Sequence, residues 1–329
     1  DNQIVRRIGI PLPTEYELLA ETLSAHGYAT AAVVSNGAVG EEFNFDQGFD
    51  TYVQTWKAEV DGPRNVATRV TDEALAVAAG LPDDRPFFLW VHYLDPHFPY
   101  TPPEPFAGRF LDDEYYDPTE TIDIDRTKHK KQMRGIGRSQ VLDDRKELAY
   151  YVARYDEEIA YADAEIGRLL ETLGANGRMD STMTVVTSDH GESLGDHHFY
   201  FDHGRFIFQT CVRVPFIVHY PGVIPPAVDT DPLELLDLTP TLLEIARVPT
   251  FEGRWGQGRS LTARLLGKEE PTEERLAFSE AGWATQGKWQ KSVQDSRFKL
   301  IYVLDGGAQR WIDGPGQEWV MYDLENDPN

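Results

Sequence analysis

Thr184-Val185-Val186-Thr187-Ser188-Asp189-His190-Gly191-Glu192 is the stretch that decides the fold, because an apolar strand pattern runs directly into an acidic residue, an imidazole and a glycine. In open α/β sheets, ligands bind just beyond the carboxyl ends of the strands, so Asp189 and His190 lie where chemistry is expected. A carboxylate beside an imidazole suits a divalent cation. The stretch therefore predicts a metal site at a strand end; the alternative is a turn aspartate beside a surface histidine.

Strand and helix patterns alternate on both sides of this stretch. Apolar runs predict strands over residues 28–35, 86–92, 182–187 and 212–220, and the first two are expected to be buried. Helical patterns cover residues 66–79, 146–173 and 233–246, and a first helix is expected to begin at Thr14, where Glu17 completes a capping-box pattern. The alternation predicts an α/β sandwich around a mainly parallel sheet.

The remaining segments have a different character. Residues 112–145 are rich in charge and are expected to form an exposed insertion or a mobile loop. Short strand patterns joined by Gly and Asp turns occupy residues 276–280, 289–294, 298–303 and 319–322. We therefore predict a catalytic α/β domain over residues 1–268 and a small antiparallel C-terminal subdomain over residues 269–329.

Composition narrows the class of protein. The 329 residues, 41% of them apolar, are enough for a substantial core, and no run of about 20 apolar residues predicts a membrane helix. The net charge of -24 argues against binding to nucleic acid or anionic membranes. The single cysteine, Cys211, excludes a disulfide framework, and we expect it to be a small buried core residue. The compartment, with the cytoplasm favoured, and the oligomeric state are left open.

Histidines are concentrated just after the opening stretch. Four of the nine histidines lie between residues 190 and 203, in a run that includes Gly195-Asp196-His197-His198 and Asp202-His203-Gly204-Arg205. Such density in a loop is unusual for a solvated face, because His and Asp contribute little to packing there. Roughly half of these residues are expected not to bind a metal directly, and instead to hydrogen-bond to its ligands or to face solvent.

A second candidate follows the strand predicted over residues 86–92. His92-Tyr93-Leu94-Asp95-Pro96-His97-Phe98-Pro99-Tyr100 carries His97 between two prolines that stiffen its loop. A fixed imidazole at a strand end suits a general acid that protonates a leaving group. A structural histidine in a proline-rich turn is the alternative.

Several motifs in register resemble the sulfatase family of the alkaline-phosphatase superfamily. They are the Asp95-Pro96-His97-x-Pro99-Tyr100 core, the helical piece Tyr155-Asp156-x-Glu158-Ile159-Ala160-Tyr161-Ala162-Asp163, the Ser188 to His197 run, Val212-Arg213-Val214-Pro215-Phe216, and the closing Phe298-Lys299-Leu300 and Tyr322-Asp323-Leu324 segments. The resemblance covers nearly the whole chain. It implies an alkaline-phosphatase-like α/β fold and hydrolysis of a sulfate or phosphate ester by a metal-activated nucleophile.

The resemblance also implies roles for individual residues. Asp189 and His190 match a pair of metal ligands, and His97 matches the histidine near the leaving-group oxygen. His203 falls where many members place a substrate-binding lysine and is expected, with His97, to be a catalytic residue. Arg205, two residues later, is expected to bind the substrate. One divalent ion is implied: Ca2+ by the family in general, with Mn2+ or Zn2+ as alternatives because imidazole is the softer ligand.

Two family features are not found in this sequence. The paired aspartates that complete the metal site and the Cys/Ser-x-Pro-x-Arg nucleophile motif should precede the first helix, so the chain is expected to be part of a longer protein and incomplete for catalysis by itself. Where many arylsulfatases have Gly-Lys-x-His, this chain has Val34-Ser35-Asn36-Gly37, which makes Asn36 the polar candidate for a substrate contact.

The sequence therefore leaves three functions open. The first is a sulfuric ester hydrolase acting on a small-molecule or saccharide ester. The second keeps the fold but makes the protein a phosphodiesterase or phosphonate monoester hydrolase, since an Asp-His metal pair also occurs in that branch. The third is a non-catalytic remnant that only binds.

Overall fold

The computed structural model describes residues 10–57, 66–111, 114–117, 119–249, 258–268, 275–283, 288–304 and 319–326. The α-helices within these ranges are α1 (Leu19–Ala25), α2 (Val66–Gly80), α3 (Leu148–Ala175), α4 (Gln209–Val212), α5 (Leu238–Ile245) and α6 (Thr262–Leu265). The strands are β1 (Ala29–Val34), β2 (Thr51–Gln54), β3 (Phe87–His92), β4 (Ile124–Asp125), β5 (Ile136–Gly137), β6 (Thr184–Thr187), β7 (Ser193–Leu194), β8 (Tyr200–Asp202), β9 (Phe216–His219), β10 (Ala277–Trp283), β11 (Lys288–Gln294), β12 (Phe298–Leu304) and β13 (Trp319–Asp323). Among the described helices, none combines the length and the apolar character that crossing a bilayer requires.

The chain divides into two compact units. The first consists of residues 1–112, 154–182 and 242–257, and the second consists of residues 113–153, 183–241 and 258–329. Each unit has a sheet of its own, and the candidate residues identified from the sequence are distributed over both. The predicted boundary near residue 268 stays a prediction.

A parallel three-stranded sheet in the order β2-β1-β3 forms the centre of the first unit. All six residues of β1 are buried, as their small or β-branched side chains predict. The expectation that residues 86–92 form a fully buried strand is wrong, because every residue of β3 is only half-buried. Among the described strands β3 pairs with β1 alone and so lies at an edge of the sheet.

Helices cover both faces of this sheet. On one face, Val33 of β1 packs in a buried cluster with Val70 and Ala74 of α2 and with Leu169 and Leu173 of α3. A second cluster is made by Leu23 of α1 with Leu243 and Val248, and Tyr28 and Phe88 pack against it. Apolar burial of this kind contributes about 25 cal/mol per Å². The predicted α/β sandwich is confirmed, and it fixes the loops that follow β1 and β3.

The second unit contains short two-stranded ribbons and a larger antiparallel sheet. Strand β6 pairs antiparallel with β9, and β7 pairs antiparallel with β8. The larger sheet has the order β10-β11-β12-β13, with every pair antiparallel. This confirms the antiparallel C-terminal sheet predicted from residues 276–322.

The first helix begins later than predicted. It starts at Leu19 rather than at Thr14, and Glu21 supplies the capping carboxylate by accepting the Leu18 N–H at 2.7 Å. Glu17 instead accepts a hydrogen bond from the Thr22 hydroxyl at 2.8 Å. A carboxylate four residues further along the chain therefore makes the capping interaction that the sequence pattern assigned to Glu17.

Two further expectations are corrected. The strand predicted over residues 212–220 begins only at Phe216, after Pro215, which has no N–H to pair; residues 209–212 form α4. Part of the charged segment 112–145 is ordered by buried residues: Ile122 and Ile136 are 3% and 0% exposed. Gln140 is also buried, and its side-chain oxygen accepts the N–H groups of Lys131 and Gly137 at 2.8 and 3.0 Å.

Candidate active site

Asp189 and His190 lie directly after β6 and are held by local hydrogen bonds. The Oδ1 atom of Asp189 accepts the N–H of His190 at 3.0 Å, and the hydroxyl of Ser188 donates to the carbonyl of His190 at 2.8 Å. These bonds fold the chain into a tight turn at the strand end. The side chain of Asp189 is 73% exposed and that of His190 is 37% exposed, so both are accessible to a ligand.

Gly191 fixes the position of this turn against α4. Its N–H donates to the carbonyl of Cys211 at 2.9 Å. A Cβ atom at residue 191 would lie 2.0 Å from the carbonyl oxygen of Thr210, a distance that no side chain can occupy. The glycine that follows the Asp-His pair is therefore required for close approach of two backbone segments.

The ribbon of β7 and β8 brings the end of the histidine run back to this turn. Ser193 lies opposite Asp202 in the register, so Glu192 and His203, the next residues outward, face each other. Their side chains are 3.4 Å apart, between Oε1 of Glu192 and Nδ1 of His203. Glu192 is 6% exposed and His203 is 22% exposed. The ribbon thus places a buried carboxylate beside a largely buried imidazole.

The imidazole rings of His190 and His203 stack on each other, with centroids 3.7 Å apart and an angle of 21° between the rings. Burial by itself lowers the pKa of His203, but the hydrogen-bonding Glu192 carboxylate and the charges of Glu192, Asp202 and Asp189 outweigh it. The net effect raises the pKa of His203 above its ordinary value. His203 is therefore well suited to carry a positive charge.

The hydrogen bonding of His190 leaves a donor atom for a cation. Its Nδ1 atom is 2.9 Å from the carbonyl of Gly191, and a carbonyl can only accept, so Nδ1 carries a proton. In the neutral ring, Nε2 then has a lone pair, and it lies 3.4 Å from Oδ2 of Asp189. Two acceptor atoms facing each other at this distance favour a cation or a proton between them. Asp189 and His190 thus fit a metal ion as two of its ligands.

The pair does not form a complete metal site within the described part of the chain. No group of three or more His, Cys, Asp or Glu side chains that could hold a metal ion occurs there. When bound, a divalent ion supplies positive charge for an anionic ester and lowers the pKa of a hydroxyl nucleophile. Among the described residues, Asp189 and His190 are the two that would hold such an ion.

Other members of the histidine run have different surroundings. His197 stacks on Phe208 with ring centroids 4.0 Å apart, and His198 is exposed. Arg205 is half-buried; burial lowers the pKa of its guanidinium, which remains charged at neutral pH. Cys211 is 3% exposed and burial raises its pKa to about 12, so the prediction of a buried core thiol is confirmed.

The first unit carries the two remaining candidates. His97 is exposed, and its Nδ1 atom donates to the carbonyl of Phe98 at 2.7 Å. The side chain of Asn36 accepts the N–H of Ala38 at 2.9 Å and caps a short 3-10 helix, Gly37–Val39. Asn36 therefore has a structural role in addition to the predicted substrate contact.

Sequence patterns alone did not single out Glu192. Its role depends on the β7–β8 ribbon, which makes it the carboxylate partner of His203. The available signal was its place immediately after the Asp-His-Gly turn, in a run whose other polar residues were candidates. A carboxylate with 6% of its side chain exposed needs a polar partner, and His203 supplies one.

Comparison with known proteins identifies the family. The model of the family described as Sulfatase matches residues 2–248. The chain belongs to the sulfatase family. A second family model, described as N-sulphoglucosamine sulphohydrolase, C-terminal, matches residues 195–329. Sulfatases generally use a divalent metal ion, and the Asp189-His190 turn lies within the matched region.

Curated relatives include sulfatases of different specificity. The chain is 28% identical over 264 residues to an arylsulfatase of Clostridium perfringens, covering 79% of this chain and 51% of that protein. It is 30% identical over 250 residues to a choline-sulfatase of Rhizobium meliloti, covering 74% of this chain and 45% of that protein. The chain thus spans about half the length of these relatives.

Solved structures of sulfatases and of a related hydrolase have the same fold. BT4656 in complex with its substrate D-glucosamine-2-N,6-O-disulfate matches with a TM-score of 0.68 at 21% identity, over 98% of this chain and 78% of that one. A phosphonate monoester hydrolase from Silicibacter pomeroyi matches with a TM-score of 0.70 at 20% identity, over 97% of this chain and 76% of that one. These similarities establish the alkaline-phosphatase-like α/β fold.

Proposed function

We propose that the protein containing this chain hydrolyses sulfate esters through a metal-activated nucleophile. The observation that carries the proposal is the arrangement after β6: the stacked His190 and His203 rings, flanked by the carboxylates of Asp189 and Glu192. Membership of the sulfatase family supports this chemistry. Because the chain spans about half of its curated relatives, we place the nucleophile and the remaining metal ligands outside it.

The candidate residues of the second unit have two proposed roles, metal binding and charge stabilisation. Asp189 and His190 contribute an anionic and a neutral ligand to one divalent ion, which we propose to be Ca2+, with Mn2+ or Zn2+ as the alternatives that imidazole would favour. His203, whose pKa is raised by Glu192, and Arg205 supply positive charge to the sulfate group. Positive charge aimed at the developing anion is the main source of rate acceleration in such reactions.

His97 and Asn36, which belong to the first unit, have proposed roles of their own. We assign His97 as the general acid for the leaving-group oxygen. Its Nδ1 atom donates to the carbonyl of Phe98, so the proton given to the leaving group is one carried on Nε2 of the doubly protonated, exposed imidazole. Asn36 is proposed as a contact to the substrate. A saccharide ester is the proposed substrate class, in view of the sulfated glucosamine bound by BT4656, which has the same fold.

One experiment separates the sulfatase function from its alternatives. The purified protein is given an aryl sulfate, a phosphate diester and a phosphonate monoester under identical conditions, and kcat/KM is measured for each. A preference for the sulfate ester supports the proposal. A preference for the phosphonate or the diester would assign the protein to the second branch, whose fold the Silicibacter pomeroyi enzyme represents. Absence of all three activities would favour a binding-only protein.

The role of His97 is tested by varying the leaving group. His97→Ala should slow hydrolysis by about 10² to 10⁴-fold for esters with poor leaving groups and far less for good ones. His129→Ala is the matched control, because His129 is another exposed histidine and has no proposed role. Equal losses for good and poor leaving groups would remove His97 from the role of general acid.

A further inference from the structure

The loop that carries His97 is attached to α3 at two points by one side chain. The Oε1 atom of Glu158 accepts the N–H of Thr101 at 2.6 Å, four residues after His97. The carboxyl group of Glu158 is also hydrogen-bonded to that of Asp95, two residues before His97. Glu158 thus contacts the chain on both sides of the imidazole. All of these residues belong to the first unit.

A hydrogen bond between two carboxyl groups requires a proton. Glu158 is 5% exposed, and the Oδ2 atom of Asp95 is buried and receives no N–H or hydroxyl donor from the described residues, so a carboxyl proton is the donor that remains for it. Ionising both groups would place two negative charges side by side with little water to solvate them. The geometry therefore favours one proton held between the two carboxyls.

The charged and titratable groups around the pair do not offset a second negative charge. On α3, the guanidinium of Arg154 lies 2.9 Å from Glu157, whose side chain is 0% exposed, so the nearest positive charge already has a carboxylate partner. Tyr161 of the same helix bonds to Thr68. From the loop, Tyr100 packs edge-on against Tyr155 of α3, with ring centroids 5.2 Å apart.

We propose that Asp95 and Glu158 share one proton, and that this proton holds residues 95–101 on α3 and so positions His97. The inference rests on the proposed function only for the role of His97 as a general acid. The proton shared by Asp95 and Glu158 does not depend on that role. Burial, followed by the charge of Asp95, raises the pKa of Glu158 to about 8, and burial also raises the pKa of Asp95. Both shifts agree with a protonated pair at neutral pH.

The sign of the pH dependence follows from the raised pKa. When the loop opens, Glu158 meets water and its pKa returns towards 4.5, so opening releases a proton at any pH between 4.5 and about 8. The closed loop is therefore most stable below pH 4.5 and loses this stability as the pH rises to about 8. Within that interval the equilibrium constant for loop opening should increase by up to about tenfold per pH unit.

Hydrogen exchange of the amides in residues 95–101 tests the proposal without any measurement of activity. After correction for the intrinsic exchange rate, wild-type opening should rise with pH in this interval. Glu158→Gln should remove the rise, because glutamine is neutral at every pH and can still donate to Asp95 and accept from Thr101. Glu171→Gln, on an exposed residue of the same helix, should keep the wild-type behaviour.

Two outcomes would overturn the shared proton: no pH dependence in the wild type, or an unchanged dependence in Glu158→Gln. Asp95→Asn provides a second variant, which should lower the upper end of the interval because it removes a charge that raises the pKa of Glu158 in the closed loop. An unshifted interval in Asp95→Asn would also contradict the proposal. Leaving-group effects of His97→Ala are measured separately, so failure of the proposed hydrolysis is distinguishable from failure of the pair.

Discussion

Replacing Gly191 by alanine is expected to disrupt the candidate active site, because the added methyl group has no room. The new Cβ atom would lie 2.0 Å from the carbonyl oxygen of Thr210 and 3.1 Å from its carbonyl carbon. Contact between nonbonded atoms needs more than 3 Å, so the two backbone segments must separate by roughly 1 Å. Overpacking of this kind costs about 1–3 kcal/mol.

Separation of the segments should also break the hydrogen bond from the Gly191 N–H to the Cys211 carbonyl. Its loss adds about 1 kcal/mol, which brings the expected destabilisation to about 2–4 kcal/mol. His190, a proposed metal ligand, is the preceding residue, and a displacement of about 1 Å within an active site can reduce the rate by about 10²-fold. Urea unfolding measures the first effect, and kcat/KM for an aryl sulfate measures the second.

Gly167→Ala is the matched control for this substitution. Gly167 lies in α3, and a Cβ atom there would have no neighbour within 4 Å. In a helix, alanine should be more stable than glycine by about 0.5–1 kcal/mol, and activity should be unchanged. If Gly191→Ala had the stability and activity of the wild type, the close approach of residues 191 and 210 would be refuted.

Three further predictions follow from buried charges and the buried thiol. Glu192→Gln should lower the pKa of His203, because the carboxylate that raises this pKa is removed. NMR titration of the ring nitrogens of His203 measures the change, and an unchanged pKa would refute the pairing of Glu192 with His203. Asp237→Asn should destabilise the protein by about 3–5 kcal/mol in urea unfolding, since Arg275 lies 2.8 Å from this carboxylate, which is 2% exposed; a loss below about 1 kcal/mol would contradict this. Cys211, with a pKa raised to about 12, should react with iodoacetamide at pH 8 only after unfolding, and rapid alkylation of the folded protein would contradict its burial.

Local patterns predicted the elements whose own residues determine them. The helix over residues 66–79 and the four C-terminal strands are present nearly as predicted, because their apolar periodicity is long and is bounded by turns. The predicted helix over residues 146–173 is shifted by two residues, to Leu148–Ala175. The first helix was predicted five residues too early because both Glu17 and Glu21 could cap it.

The features that local patterns missed depend on tertiary contacts. Burial of β3 was overestimated because an apolar run does not show which strands lie on either side of it. Pairing of Glu192 with His203 requires the register of the β7–β8 ribbon. The attachment of Glu158 to both sides of His97 spans 57 residues of sequence, from Thr101 to Glu158. Candidate residue types could therefore be predicted, but their partners could not.

The central claim is that Asp189 and His190 belong to the metal-dependent site of a sulfate ester hydrolase. Its most direct test is kcat/KM for an aryl sulfate, measured for the wild type and for Asp189→Asn across a titration of Ca2+, Mn2+ or Zn2+. We predict that the wild type is activated by one of these ions, and that Asp189→Asn needs at least about tenfold more of it or remains inactive, since one anionic ligand is lost. Identical metal dependence in the two proteins would contradict the claim.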